Sequence, residues 1–291
     1  MVKESNLYDN SNITVLEEMG GFKVLEHKKD LSVSAATAVE EYFAAKMNVR
    51  RRQVIVELNG NSCTLQAGAM QWISGDIEMS SGIKGVGNFL GKMVSSKVTG
   101  ETISKPVYTG TGKVMLEPTY KYILLIDVSK WGTIVLDDGM FLACDSTLKQ
   151  KVVARSNVSS AVLGGEGLFN LSLTGDGVLV CESYVPMEEL IEIELENDTM
   201  KIDGNMAVAW SGSLDFTVEK AGKSLVGSAM SGEGFVNVYR GTGKILMAPT
   251  IKDSAMTTPD ASDSSQAEST SGSPAVGKAV KVLGNVLDFL D

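Results

Sequence analysis

His27 is the only histidine in the chain. A Ser-His-Asp triad, a Cys-His pair or a histidine metal site would all have to use it. It lies in the charged stretch Leu25-Glu26-His27-Lys28-Lys29, where a solvent-exposed, non-catalytic side chain is expected. Cys63, Cys144 and Cys181 are far apart and form no C-x-x-C pair, which argues against a disulfide framework or a zinc knuckle. Cys144 and Cys181 fall in apolar stretches, where a small buried thiol is the ordinary outcome. Gly110-Thr111-Gly112-Lys113 and Gly241-Thr242-Gly243-Lys244 invite a phosphate-binding reading. A P-loop, however, needs Ser or Thr after its lysine and a helix beyond it, whereas Val114 and Ile245 follow here inside strand-like runs. Turns between strands are expected instead. Gly85-Val86-Gly87 with Gly91 misses the dinucleotide-binding spacing and lacks a βαβ frame. Paired carboxylates can work without histidine, but the acids here alternate along predicted strands, as on solvated faces. The sequence thus predicts no catalytic residue, metal site or cofactor.

The elements that would carry these residues repeat. Gly100-Glu101-Thr102, Gly165-Glu166-Gly167 and Gly232-Glu233-Gly234 each precede a second glycine-rich stretch, at Gly110-Thr111-Gly112, Gly175-Asp176-Gly177 and Gly241-Thr242-Gly243. Ahead of each Gly-Glu runs an alternating strand and then a glycine turn into another strand. Those strands begin at Val54-Ile55-Val56-Glu57-Leu58, Leu124-Leu125-Ile126-Asp127-Val128 and Ile191-Glu192-Ile193-Glu194-Leu195. Period-2 alternation of Ile191, Ile193 and Leu195 against Glu192, Glu194 and Glu196 marks a half-buried strand. Asp-Gly and Gly-x-Gly between such runs are hairpin signals. The expectation is an all-β fold of three repeated β-sandwich units over residues 50–252. Glu101, Glu166 and Glu233, repeated three times, could ring an axis and hold a partner; a carboxylate capping backbone N–H groups in a tight turn is the plainer alternative.

Four segments fall outside the pattern. Residues 1–49 hold a predicted helix near 35–47, with Val39, Tyr42, Phe43 and Met47 on one stripe. Residues 80–99 form a glycine-rich insertion with Lys84, Lys92 and Lys97. Its apolar residues could lie on a membrane surface, but its four glycines disfavour a helix, and a flexible cap is expected. Residues 253–275 read as a disordered Ser/Thr/Asp/Ala linker. Residues 276–291 read as an amphipathic helix whose stripe includes Leu283, Leu287 and Leu290, candidate contact residues. Arg50-Arg51-Arg52 could join the insertion's lysines in a basic patch, although adjacent cations at a domain edge are usually solvated.

The motifs Leu65-x-x-Gly68-Ala69-Met70, Gly165-Glu166-Gly167-Leu168-Phe169-Asn170 and Gly175-Asp176-Gly177 resemble the "altered inheritance of mitochondria" family, number twenty-four. The resemblance covers the repeated region. It implies a fold like that of the tryptophan RNA-binding attenuator protein, with three β-sandwich units about a pseudo-threefold axis in one chain. It implies no catalytic residues, and it does not reach the N-terminal segment or the tail.

Net charge bounds the partners. At −10, the chain offers few cations to displace counterions from phosphates, so nucleic acid is not an expected partner. No run of 18 apolar residues is present, and no basic n-region opens the sequence, so a cytoplasmic location is expected. The functional expectation is a non-enzymatic scaffold that binds a protein or associates with itself. A nucleic-acid-binding protein, by fold analogy, and a carboxylate-based enzyme are the alternatives. No small-molecule ligand can be named from the sequence.

Overall fold

A computed structural model describes residues 2–80, 105–154, 169–203, 206–220 and 235–250. The chain divides into two units, Met1–Lys252 and Asp253–Asp291, and the second lies outside the described residues. The predicted linker, the predicted C-terminal helix and nearly all of the glycine-rich insertion fall outside them too.

The described residues are mostly β, as the alternation predicts. A hairpin, β1 (Ile13–Met19) and β2 (Phe22–His27), and one helix, α1 (Ala38–Lys46), precede three strand-rich segments. The first segment comprises β3 (Arg52–Leu65), β4 (Met70–Ser80) and β5 (Val107–Leu116). The second comprises β6 (Tyr122–Asp127), β7 (Thr133–Leu136), β8 (Phe141–Asp145), β9 (Lys149–Ala154), β10 (Phe169–Thr174) and β11 (Val178–Ser183). The third comprises β12 (Ile191–Asp203), β13 (Ala207–Ser211), β14 (Asp215–Lys220) and β15 (Phe235–Met247).

All pairing is antiparallel, in two sheets. The first runs β1-β2-β3-β8-β11-β6, with β5 on β3 and β4 on β5; the second runs β12-β15-β13-β7-β10-β9, with β14 on β15. Strands adjacent in sequence are therefore not always neighbours. The glycine turns at Gly68 and Gly139 lead from β3 to β4 and from β7 to β8, and neither pair is hydrogen-bonded. In the first and third segments a later strand lies between: β5 separates β3 from β4, and β15 separates β12 from β13. In the second, β7 and β8 belong to different sheets. The hairpin reading of these turns is thus corrected.

The Gly-x-Gly motifs are corrected as well. Gly110 and Gly112 lie inside β5, and Gly241 and Gly243 inside β15, so the chain bends there without reversing. Gly175 and Gly177 carry it from β10 in one sheet to β11 in the other. Glycine within a strand marks a bend or a close backbone approach, and both occur here. Gly75 has φ 96°, and a Cβ there would lie 2.5 Å from the Thr111 carbonyl oxygen. At Gly110, with φ 146°, a Cβ would lie 2.0 Å from the Asp76 carbonyl oxygen.

Side chains fill the interior. One cluster packs Leu124, Ile126 and Leu179 of the first sheet against Leu136, Leu173 and Leu246 of the second. A second gathers Phe22, Val54, Val56, Val114, Leu116 and Leu125. A third centres on Trp210, with Phe216 stacked on it at 5.3 Å between centroids and Tyr239 edge-on at 5.5 Å. Cys63, Cys144 and Cys181 are buried thiols outside any disulfide. Burial pushes the Cys63 and Cys144 thiols up to about 12, so they stay protonated and act as small apolar groups.

The bends generate a prediction. Gly75→Ala and Gly110→Ala each combine a disfavoured φ with a backbone clash and should cost about 2–4 kcal/mol. Gly60→Ala meets nothing within 4 Å and has φ 75°, so it carries only the left-handed penalty, about 1 kcal/mol. Urea unfolding of the three variants checks the ranking.

Candidate interaction site

The six residues predicted to make contacts, Glu101, Glu166, Glu233, Leu283, Leu287 and Leu290, all lie outside the described residues. What the structure does bring together is in the N-terminal segment, around the three arginines.

Period 2 along β3 puts Arg52, Val54, Val56 and Leu58 on one face, and all four are buried. The same period along β2 puts Phe22, Val24 and Glu26 inside. The register sets Glu26 directly opposite Arg52. Arg52 is 2% exposed and meets the Glu26 carboxylate at 2.7 Å. Its guanidinium also donates to the Asn48 carbonyl and Asn48 Oδ1, both at 3.0 Å, and sits 4.4 Å from the Tyr122 ring centroid. The Arg52 backbone exchanges hydrogen bonds with Thr119, at 2.7 and 2.9 Å. Desolvation of two charges is costly, and here it is offset by the opposite charge, several hydrogen bonds and a π face.

The neighbouring arginines complete the clasp. Arg50 binds the other Glu26 oxygen at 2.7 Å and donates from Nε to the Ala45 carbonyl of α1 at 2.9 Å. Arg51 pairs with Asp30, whose second oxygen accepts the Tyr120 hydroxyl at 2.6 Å. Burial pushes the Asp30 carboxyl up, but the Tyr120 hydroxyl, the Ser32 N–H and Arg51 together outweigh it and hold it below the usual range. The bond to Asp30, aided by burial, pushes the Tyr120 phenol up to about 12. The reading of these arginines as solvated cations is therefore corrected: each is engaged by a carboxylate. His27 is also corrected from exposed to half-buried, with Nε2 3.2 Å from Gln53 Oε1.

Between the β1–β2 hairpin and α1 lies a cleft of about 560 Å³. Leu16, Leu31, Val33 and Tyr42 give it apolar walls, and Lys28, Lys29 and Lys46 are among its charged lining. Of its carboxylates, Glu26 meets Arg50 and Arg52, and Asp30 meets Arg51. The helix beside it is observed at Ala38–Lys46, shorter than expected, and buries no residue. The residues of its predicted stripe face out, and Met47 lies just past its end. Val39, Tyr42, Phe43 and Met47 are each more than half exposed, as is Leu31 in the preceding loop.

The clasp makes two predictions. Glu26→Gln leaves a buried guanidinium without its counter-charge and should cost about 3–5 kcal/mol, whereas Glu26→Leu with Arg52→Met should recover much of that. Denaturant unfolding of both variants checks it. Asp30 has a lowered folded pKa, so its contribution is present above the ordinary carboxylate value and is lost as pH falls through the lowered one. Asp30→Asn should therefore cost about 1–3 kcal/mol at pH 7. The difference from wild type should close below about pH 4, as read by urea unfolding across that range.

Comparison with known proteins reaches most of this unit. The family model described as "Mitochondrial biogenesis AIM24" matches residues 46–250. An uncharacterized protein of Streptococcus pyogenes serotype M6 is 33% identical over 197 residues, covering 65% of this chain and 77% of that protein. An X-ray crystal structure of a Streptococcus pyogenes protein superposes with a TM-score of 0.52 at 29% identity, covering 70% of this chain and 90% of that one. The clasp's Arg50, Arg51 and Arg52 fall inside the matched span, whereas Glu26, Asp30 and all of α1 but its last residue, Lys46, fall before it. With a family match over residues 46–250, the chain belongs to the mitochondrial biogenesis AIM24 family.

Proposed function

We propose that this protein is a non-enzymatic β-scaffold that binds a macromolecular partner or assembles with itself. The observation that carries this reading is the outward apolar set Leu31, Val39, Tyr42, Phe43 and Met47 on and beside α1. Five such side chains left in water on one short stretch mark a contact surface. The packed interior beneath, with its buried arginine clasp, is suited to holding that surface in a fixed place.

We also read the three strand-rich segments as copies of one sandwich unit about a pseudo-threefold axis. Two features support this. In each segment the strand that comes last in sequence lies between the first and the second: β3-β5-β4, then β6-β11-β8 with β7-β10-β9, then β12-β15-β13. Successive segments are also joined in the same way. Leu65 pairs with Ala143 where the first meets the second, and Leu136 pairs with Ala209 where the second meets the third. Buried thiols left out of disulfides favour a reducing compartment such as the cytoplasm.

The rival readings have less behind them. Arg50, Arg51 and Arg52, the cations best placed for a nucleic acid, are each taken by a carboxylate. A carboxylate enzyme would need two converging acids free of such partners.

The test is Tyr42→Glu with Phe43→Glu in the full chain, read by affinity capture from a native lysate beside a thermal melt. Specific partners should be lost while the melt stays within a few degrees of wild type. An unchanged set of partners at unchanged stability removes α1 as the contact.

A further inference from the structure

The side of α1 that faces the β1–β2 hairpin is built differently from its outward stripe. Ala38, Glu41, Tyr42 and Ala45 follow the i, i+3, i+4, i+7 spacing of one helical face, and all four line the cleft. Two of the four are alanines, too short to reach across. A helix that packs on a sheet fills such positions with larger apolar side chains, whereas α1 buries none of its residues. It therefore stands off the hairpin and leaves the cleft of about 560 Å³ between them. Sites for small ligands are of this size and are mostly apolar, with a few placed polar groups.

The walls set the chemistry of what fits. Thr14 and Glu26 both line the cleft and stand opposite each other in the β1–β2 ladder, so the cleft opens on a face of the hairpin and not along an edge. A peptide would find no row of ladder groups there, and its own backbone groups would go unmatched. An acyl chain asks for none and gains from the apolar walls. The charges are uneven as well. Arg50 and Arg52 pair with Glu26 and Arg51 with Asp30, and among the described residues no such ion pair takes up Lys28, Lys29 or Lys46. The Lys28 ammonium donates to the Ser11 carbonyl at 2.7 Å, and that of Lys46 stands 5.4 Å from the Tyr42 ring centroid. Once the arginine pairs are set aside, these three lysines line the cleft with Glu41 as the one remaining acid, in a chain of net charge −10.

We propose that the cleft binds a single-chain anionic amphiphile, a fatty-acid-like carboxylate. Its chain lies against Leu16, Leu31, Val33 and Tyr42, and its head is held by the lysines. Burial of the chain supplies the affinity, and the local surplus of positive charge selects the sign of the head. The inference goes beyond the scaffold reading and does not rest on it, since Val39, Phe43 and Met47 of the outward set do not line the cleft.

Titration calorimetry of the full chain tests it. Dodecanoate, kept below its micelle concentration, should bind one-to-one with a dissociation constant below about 1 mM, and it should raise the thermal melt. Dodecyltrimethylammonium has the same chain and the opposite head, and it should bind about tenfold more weakly or worse. Acetate, the head alone, should not bind. Ala38→Leu with Ala45→Leu fills the cleft and should abolish binding, whereas Lys29→Gln with Lys46→Gln should weaken it by about threefold to thirtyfold. Should the filled variant fail to fold, the comparison of heads on the wild-type chain still decides. Absence of dodecanoate binding, equal binding of the two heads, or unchanged binding by a folded filled variant overturns the proposal. Binding to phosphatidylglycerol vesicles without binding of dodecanoate overturns it too and assigns the surface to a membrane. The filled variant keeps Tyr42 and Phe43, so its capture of partners from a native lysate reports on the scaffold reading separately.

Discussion

The N-terminal third of the structure depends on one buried charge pair. Glu26 and Arg52 face each other across β2 and β3 inside an otherwise apolar layer. Neither would be stable there without the other. Because Arg52 also reaches Asn48, Tyr122 and Thr119, the pair ties the hairpin, the loop after α1 and the start of the second segment to one point. Arg50 extends the tie to the last turn of α1. An apolar pair of similar volume would pack the same layer, but it would not fix which residues of three separate elements must meet. Directional bonds supply that selectivity, and α1, which buries nothing of its own, is held largely by them.

Beyond the clasp, continuity between segments comes from the sheets. Cys63–Leu65 of β3 runs on into β8, and Ile134–Leu136 of β7 into β13. The backbone bonds continue past the strand ends in the same pattern, from Gln66 N–H to the Leu142 carbonyl at 2.8 Å and from Asp137 N–H to the Val208 carbonyl at 3.1 Å. The second segment therefore contributes to both sheets. Its strands are cut near the middle, at the 3₁₀ turn Val128–Lys130 and at Gly175-Asp176-Gly177, where the chain crosses from one sheet to the other. In the first segment, by contrast, glycine bends keep β5 whole.

Much of this was legible in the sequence. Alternation marks the strands, and the apolar runs around Cys144 and Cys181 mark buried thiols. The burial of Arg52 was also legible in principle, since it stands two residues before Val54 and four before Val56 on the same face. Three adjacent charges masked it, because composition suggests solvent where periodicity points inward. Strand order was not legible: a turn residue reports that the chain bends, not which distant strand will lie beside it. The outward stripe of α1 was visible as a pattern, but a pattern does not say whether a surface exists to cover it. The six residues predicted as contacts lie outside the described residues, and no motif marks the exposed apolar residues of α1.

The placing of the last strand between the first two has a consequence for how the chain acquires its fold. Ser62 and Thr109 are neighbours across β3 and β5 yet stand 47 residues apart in sequence. Until Val107–Leu116 has left the ribosome, β4 has no partner in its own segment, and the 70–74 stretch has no hairpin mate to hide its backbone. Closing so long a loop before any ladder bond rewards it is slow. The nascent chain thus passes through a period with unpaired, half-apolar strands on view, when stray pairing is a hazard. Synthesis order and strand order are out of step in every segment, so each must wait for its last strand before its ladder can close.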